Sequence, residues 1–404
     1  MSMKVKEGTV RILCVGGGSG GHIAPIVAVV ERLRQPANIR KMGGEPEIRV
    51  WCDRNFFVQA RQMFGDNSVR IETISAGKLR RYANLGFFYR WFSPWHIIHT
   101  HIPNSIDMGR VLVGLVQSLV KLAAWRPDVV FCKGGYVGLP VGLVAHWYHI
   151  PLVIHDSDTV PGLTNRLLAR HATAIGTGSP VKNYPSYPKG ITKYIGIPVG
   201  NQERRLSGAE RRKMLRRLGL VTDRPLVLAM GGGLGAVAIN QALEAIADQL
   251  VASGLQVVLL TGKGNEIKVS ESAGRFFRQY QFTNQVRQYE QVADLVITRA
   301  GATTMAELAT VGVATIIIPS PYLAGDHQTK NAKVYQRAGA AVMLAESAVR
   351  ERPSRLAKLI SKLMNDATER SQLADNLHQF AQPRALDDMT QMIIDAGRKK
   401  NSTA

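Results

Sequence analysis

Short apolar runs alternate along the chain with longer stretches whose apolar positions recur every third or fourth residue. In the first half the runs are Val10–Val15, Ile48–Cys52, Ile71–Ile74, Asp128–Cys132, Leu152–His155, Ala174–Gly176 and Tyr194–Ile195. In the second half they are Leu226–Met230, Val257–Leu260, Leu295–Thr298, Thr315–Ile318 and Ala341–Leu344. A nearly continuous run such as Asp128-Val129-Val130-Phe131-Cys132 marks a strand buried on both faces. Strand and helix patterns in strict alternation predict parallel, doubly wound α/β sheets. The rhythm stops at Gly196-Ile197-Pro198-Val199-Gly200, passes through a charged helix over Gly208–Leu218, and restarts at Leu226. This predicts a first domain over 1–198 and a second over 199–375. From Arg355 the chain reads as helices broken by Pro383, and in the tail, 376–404, a helix over Leu386–Arg398 is expected to cross back onto the first domain.

Composition narrows the setting. The chain has 404 residues, 45% of them hydrophobic, enough to bury the cores of two or three domains. Cys14, Cys52 and Cys132 form no Cys-x-x-Cys pair, which points to buried thiols in a reducing compartment rather than to disulfides or a zinc site. The formal net charge of +21 points to anionic substrates or an anionic membrane surface. No recognisable nucleic-acid module accompanies the charge, so nucleic acid is not an expected partner. Val111–Trp125 is too short, and with Gln117 and Lys121 too polar, to cross a bilayer. Met1 to Val10 is polar and the first apolar run is short, so a secretory signal segment is not expected there.

Candidate chemistry collects where apolar runs end. Gly16-Gly17-Gly18-Ser19-Gly20-Gly21-His22 follows the first run, and Gly231-Gly232-Gly233-Leu234-Gly235-Ala236 follows the first run of the second half. Such turns bring main-chain N–H groups and a helix N-terminus close to a phosphate. Two of them suggest two α/β domains facing one cleft. Asp53 stands at the end of the next strand, where a dinucleotide-binding enzyme keeps an acid for the ribose, so a dehydrogenase stays open. His22 opens a helix whose positive end disfavours a charged imidazole, which suits a proton acceptor; a plain helix cap is the other reading. Lys133-Gly134-Gly135-Tyr136 makes a further glycine turn, and His155-Asp156-Ser157-Asp158 with Thr164-Asn165 puts polar groups after another strand. Strand ends of that kind are where open α/β sheets take ligands.

In the second half, Arg299-Ala300-Gly301-Ala302-Thr303 starts a helix that carries Glu307 two turns in. Its N-terminus suits a phosphate and its carboxylate suits ribose hydroxyls, although most helical glutamates merely face solvent. Asp326-His327-Gln328 with Asn331 offers donors and acceptors for a sugar, or an ordinary loop and cap. A basic and aromatic stretch holds Arg80, Arg81, Leu85, Phe87, Phe88, Trp91, Phe92 and Trp95; it suits either a core helix or a membrane interface.

In order and spacing these motifs resemble the MurG family of peripheral membrane glycosyltransferases, from residue 10 to about 345. The carriers are Gly17–His22, Ser75-Ala76-Gly77-Lys78-Leu79-Arg80-Arg81, Pro127–Val130 leading into Gly134-Gly135-Tyr136, His155 with Gly162-Leu163-Thr164-Asn165, Arg299 through Glu307, and His327-Gln328 with Asn331. The resemblance implies a GT-B architecture of two Rossmann-like doubly wound domains facing a cleft. It implies an inverting transfer of N-acetylglucosamine from UDP-N-acetylglucosamine to lipid I, a polyprenyl-diphosphate muramyl peptide, giving lipid II at the cytoplasmic face of the cell membrane. No cofactor and no metal are implied. Gly231–Gly235 and Gly301–Thr303 would face the donor diphosphate, with Arg299 beside it. Glu307 would hold the ribose, the main chain at Phe282 and Thr283 would meet the uracil, and His327 and Gln328 would meet the sugar. Gly18–Gly21, Gly134–Tyr136, His155 and Asn165 would serve the acceptor. His22 would be the base, with Asp158 its partner or competitor, and the stretch Leu79–Trp95 would dock on the membrane.

The chain departs from the family pattern in three places. Gly233-Leu234 replaces Ser-Gln, Gly200 stands where an arginine follows Asn-Pro-Val, and Asp156 and Asp158 replace the Glu and Asn of His-Glu-Gln-Asn. Asp158 keeps an acceptor and loses the amide donors. A UDP-sugar epimerase of the same fold and a catalytically degenerate nucleotide or lipid binder are the rival readings.

Overall fold

The structure is a computed structural model that describes residues 8–18, 20–65, 69–78, 97–200, 204–232, 235–322 and 326–401. Ser19, Gly233, Leu234 and the aromatic and basic stretch at Arg80, Arg81, Leu85, Phe87, Phe88, Trp91, Phe92 and Trp95 lie outside the described residues. The chain divides into two compact units, one of residues 1–200 with 384–404 and one of 201–383.

The first unit contains a seven-stranded sheet: β1 (Val10–Val15), β2 (Pro46–Cys52), β3 (Arg70–Thr73), β4 (Val129–Cys132), β5 (Leu152–Asp156), β6 (Ala174–Thr177) and β7 (Thr192–Tyr194). Their spatial order is β3-β2-β1-β4-β5-β6-β7, and every pair is parallel. Every residue of β4 and β5 is buried, as expected for strands covered on both faces. The helices Gly20–Leu33 and Ala385–Asn401 pack together over one face. There Met389 and Ile393 join Ile12, Cys14, Val129 and Phe131 in one core. The helix Ala367–His378 packs against Ala302–Val311 in the second unit, so the chain that covers the first unit begins at Arg384. All three cysteines are free and buried, in β1, β2 and β4.

The second unit repeats the plan with β8 (Leu226–Met230), β9 (Gln256–Leu260), β10 (Phe277–Tyr280), β11 (Leu295–Thr298), β12 (Thr315–Ile317) and β13 (Val342–Met343). Its order is β10-β9-β8-β11-β12-β13, again wholly parallel. Strand order therefore reverses between β1 and β4 in one unit and between β8 and β11 in the other. At such a reversal the loops diverge and leave room for a ligand at the carboxyl ends of the strands. Gly16–Gly18, Gly134–Gly135, Gly231–Gly232 and Gly301 stand just after these four strands.

The apolar run at Val111–Trp125 is the latter part of a helix over Ile102–Ala124. Ile102, Ile106, Val113, Val116 and Val120 are each more than half exposed, and their spacing of four, seven, three and four residues puts them on one face. Among the described residues no helix is long and apolar enough to cross a membrane.

Met389 is fully enclosed between the last helix and the first sheet. Met389→Ala is expected to cost the first unit about 2–5 kcal/mol. Urea unfolding should show its transition at lower denaturant, with that of the second unit unmoved.

Candidate active site

In the first unit the two glycine turns touch. Gly135 has φ +81°, and a Cβ there would stand 2.7 Å from Gly17 O, so neither an ordinary conformation nor a side chain fits. Asp53 fixes the first turn from below. Its Oδ2 accepts the Gly18 N–H at 2.6 Å, and its Oδ1 accepts the N–H groups of Asn55 and Phe56. The Tyr136 ring lies against Gly18, where a Cβ would stand 2.8 Å from its Cε1, which joins the second turn to the first. Asp53 is buried, and its oxygens serve the protein itself. That removes the acid on which a dehydrogenase reading rested.

His22 is the third residue of the helix Gly20–Leu33 and is half-buried. A Cβ on Gly134 would lie 3.5 Å from His22 Cε1 and 3.3 Å from Asn165 Nδ2, so His22, Gly134 and Asn165 form one cluster. Gly20 and Gly21 open the helix beneath it. Asn165 is buried; its Nδ2 donates to His155 O at 3.1 Å, while its Oδ1 has no hydrogen-bond partner.

His155 corrects an expectation. It was read as an acceptor contact, but it is wholly enclosed, and its Nε2–H donates to Gly196 O at 2.8 Å. The pairing of β5 with β4 and β6 seals it inside the unit. Burial, with the Lys133 charge adding to it, holds the imidazole well below its ordinary range and so neutral. Asp158 is half-buried on the loop after β5, where the Tyr184 hydroxyl donates to its main-chain oxygen at 2.5 Å. Asp156 accepts from Tyr187 Oη at 2.6 Å and from Gly162 N–H at 3.0 Å, and burial pushes its carboxyl up.

In the second unit Gly235 has φ +75°, and a Cβ there would collide with Thr261 O, so the turn is pressed onto the end of β9. That strand leads into Gly262-Lys263-Gly264, a glycine loop the sequence reading passed over; Asn240 Nδ2 holds it through Thr261 O and Asn265 O, each at 2.9 Å. Gly301 caps the helix Ala302–Val311, whose first turn, with Ala302 and Thr303, presents main-chain N–H groups. Glu307 lies 3.8 Å from Arg287, on the helix that follows the Phe282–Thr283 loop. Burial raises the Glu307 carboxyl and Arg287 opposes the rise. Phe282 is exposed, and Thr283 Oγ1 accepts from Gln285 N–H.

Asn331 is buried and donates to Ala300 O at 3.2 Å, which brings the helix His327–Arg337 to the loop after β11. Gln328 Oε1 accepts from Ser320 N–H at 3.0 Å. Arg299, expected beside the donor, is largely buried in an ion pair with Glu346 at 2.5 Å and donates to Ile318 O. Arg287, Glu346, Tyr184 and Tyr187 were missed, because nothing in the linear pattern ties them to the glycine turns.

Two Rossmann-like units, each with glycine turns at its switch point, place the protein among the GT-B glycosyltransferases. Known proteins agree. The glycosyltransferase family 28 N-terminal domain matches residues 12–177 and the family 28 C-terminal domain residues 226–389. A Salinibacter ruber protein named UDP-N-acetylglucosamine--N-acetylmuramyl-(pentapeptide) pyrophosphoryl-undecaprenol N-acetylglucosamine transferase is 31% identical over 388 residues, 95% of this chain and 96% of its own. A Shouchella clausii protein of the same name is 33% identical over 339 residues, 83% of this chain and 86% of its own. The chain belongs to this transferase family, the MurG family, and is a glycosyltransferase. Acinetobacter baumannii MurG superposes with a TM-score of 0.66 at 24% identity, over 96% of this chain and 99% of that one. A Listeria monocytogenes protein described as a UDP-N-acetylglucosamine 2-epimerase has the same fold, with a TM-score of 0.59, 13% identity and 94% of both chains covered.

His155 gives a pH dependence. Folding holds its imidazole neutral, whereas the unfolded chain takes up a proton below about pH 6.5. The unfolded state then binds more protons, so stability falls as pH drops through that point. Urea midpoints taken from about pH 7 to 5.5 should decline, and His155→Gln, which keeps a donor for Gly196 O, should flatten the decline.

Proposed function

We propose that the chain transfers N-acetylglucosamine from UDP-N-acetylglucosamine to lipid I, forming lipid II with inversion at the anomeric carbon. The observation that carries the mechanism is the placement of His22 over Gly134, where two main-chain-lined turns meet. The acceptor's diphosphate lies along the turns Gly18–Gly21 and Gly134–Tyr136. His22 takes the proton from the acceptor hydroxyl as that oxygen attacks, and UDP leaves. His22 is preferred over Asp158 because Asp158 belongs to the loop held by Tyr184, and over His155 because that ring is sealed.

The second unit takes the donor. The helix at Gly301–Thr303 and the turn at Gly231–Gly235 neutralise the growing charge on the leaving diphosphate with oriented N–H groups. Glu307 accepts from the ribose hydroxyls. The main chain at Phe282 and Thr283 meets the uracil, and His327 and Gln328 meet the sugar.

The protein works as a peripheral enzyme on the anionic cytoplasmic face of the cell membrane. The exposed apolar face of the helix Ile102–Ala124 supports this reading, because apolar area and a basic chain add in interfacial binding.

Labelled transfer to lipid I or a short-chain analogue, with EDTA present, tests the substrate pair. In that assay His22→Ala is expected to lower kcat about a hundredfold or more, with UDP affinity within about twofold of the parent. Near-parental turnover would remove His22 from the chemistry. Absence of transfer by the parent chain, with UDP still bound, would favour a degenerate binder.

The membrane reading has its own test in vesicle flotation. Val113→Glu combined with Val116→Glu should weaken binding to anionic vesicles about tenfold and leave transfer to a water-soluble short-chain acceptor unchanged. Unchanged flotation would exclude that helix face as the docking surface.

A further inference from the structure

Lys133 is left over from the mechanism. It follows the last residue of β4, directly before Gly134, and is 1% exposed. Its Nζ donates to Ser157 Oγ at 2.5 Å; burial pulls its ammonium down to about 8, and the charges of Asp156 and Asp158 oppose that fall and keep it protonated at neutral pH. Burying an ammonium group costs several kcal/mol unless something nearby needs the charge. Here two acids stand two residues apart at the end of β5, and burial, with the Asp158 charge adding to it, raises the cost of ionising Asp156. Asp156 already serves Tyr187 and Gly162, and Asn165 bridges this cluster to Gly134. A diphosphate on the Gly134–Gly135 turn would meet the field of the same acids through that Asn165 bridge.

We infer that Lys133 is a positioning residue that neutralises the Asp156–Asp158 loop beneath the glycine turns, so that an anionic, diphosphate-bearing acceptor is accepted there. This rests on the proposed role of these turns in acceptor binding. Lys133 and Asp158 then compensate each other, and removing the lysine alone leaves a net negative floor under the acceptor's phosphates. Lys133 acts through the field it sets at the turn and has no part in proton transfer.

A double-mutant cycle tests this on the full chain, with acceptor KM, donor KM and kcat measured for Lys133→Met, Asp158→Asn and the two combined. Lys133→Met should raise acceptor KM about tenfold while kcat and donor KM stay within about twofold. Adding Asp158→Asn should return acceptor KM to within about threefold of the parent. A loss spread over kcat and both KM values, or no rescue by Asp158→Asn, would make Lys133 a scaffold residue and overturn the inference. Collapse of turnover in Asp158→Asn alone would do the same by making Asp158 the base. Lys133→Gln, which retains a donor for Ser157, replaces the methionine variant if that one does not fold. The cycle is repeated as inorganic pyrophosphate binding, by calorimetry, with the donor unit saturated by UDP. That reading needs no turnover, so an inactive parent chain counts against the proposed function alone, whereas an additive cycle in both assays counts against Lys133.

Discussion

One buried carboxylate governs the first unit's site. Asp53 holds the Gly18 N–H on one oxygen and two cap amides on the other, and the Tyr136 ring packed on Gly18 ties the second glycine turn to the first. With the turns locked together, the Gly17 carbonyl and the Gly135 main chain come too close for any side chain between them. The surface offered to a ligand is therefore main chain, with N–H groups whose directions are set before anything binds. An anion recognised in this way needs little rearrangement, which is the physical meaning of preorganisation. The same aspartate explains how one fold separates from the dinucleotide enzymes it resembles in outline. Where they aim an acid at a ribose, this chain spends all the acid's capacity on its own turn.

The two units solve related problems with different means. Both have a switch point in a parallel sheet, and both have glycine where the chain leaves the first strand. In the first unit the proposed chemistry falls to a histidine lying beside the second turn. In the second the proposed donor contacts fall to a helix start at Gly301 and to Glu307, whose carboxyl is drawn up by burial and back down by Arg287. Arg299 and Glu346 meanwhile fasten the loop after β11 to the helix Glu346–Glu351, so an arginine that reads as a phosphate ligand serves as a rivet.

The pattern of apolar runs carried most of the fold. β1, β8 and β11 begin and end where the runs do, because buried parallel strands are apolar throughout. β10 was not seen: Phe277-Arg278-Gln279-Tyr280 is an edge strand paired to β9 alone, with its last three residues only partly buried, and so it carries no apolar run. The helix Ile102–Ala124 starts earlier than its apolar core suggests, since Asp107 and Arg110 satisfy each other at 2.8 Å and need not end it. Glycine turns and His22 were legible because strand-to-helix punctuation is local. The burial of His155 and the pairing of Arg299 were not, since each depends on a partner brought from another strand's end, Gly196 in one case and Glu346 in the other.

What remains is why so many costly groups share one small volume. Lys133, His155, Asp156 and Asn165 are all buried at the carboxyl ends of β4 and β5. A fold seeking stability alone would fill that space with apolar side chains, because desolvating these groups offsets much of what their mutual contacts return. Lys133 donates to Ser157, His155 to Gly196 O and Asn165 to His155 O, while Asp156 accepts from Tyr187 and Gly162, so the cluster ties the end of β5 to the loops around it. Asn165 still has an acceptor oxygen unmatched. Strain and unmet polarity of this kind persist where a site must be held in one shape while leaving donors and acceptors for something else to use. The polar floor beneath the glycine turns is thus best understood as part of the binding surface, displaced one layer inward, with the main chain of the turns carrying its field outward to the ligand.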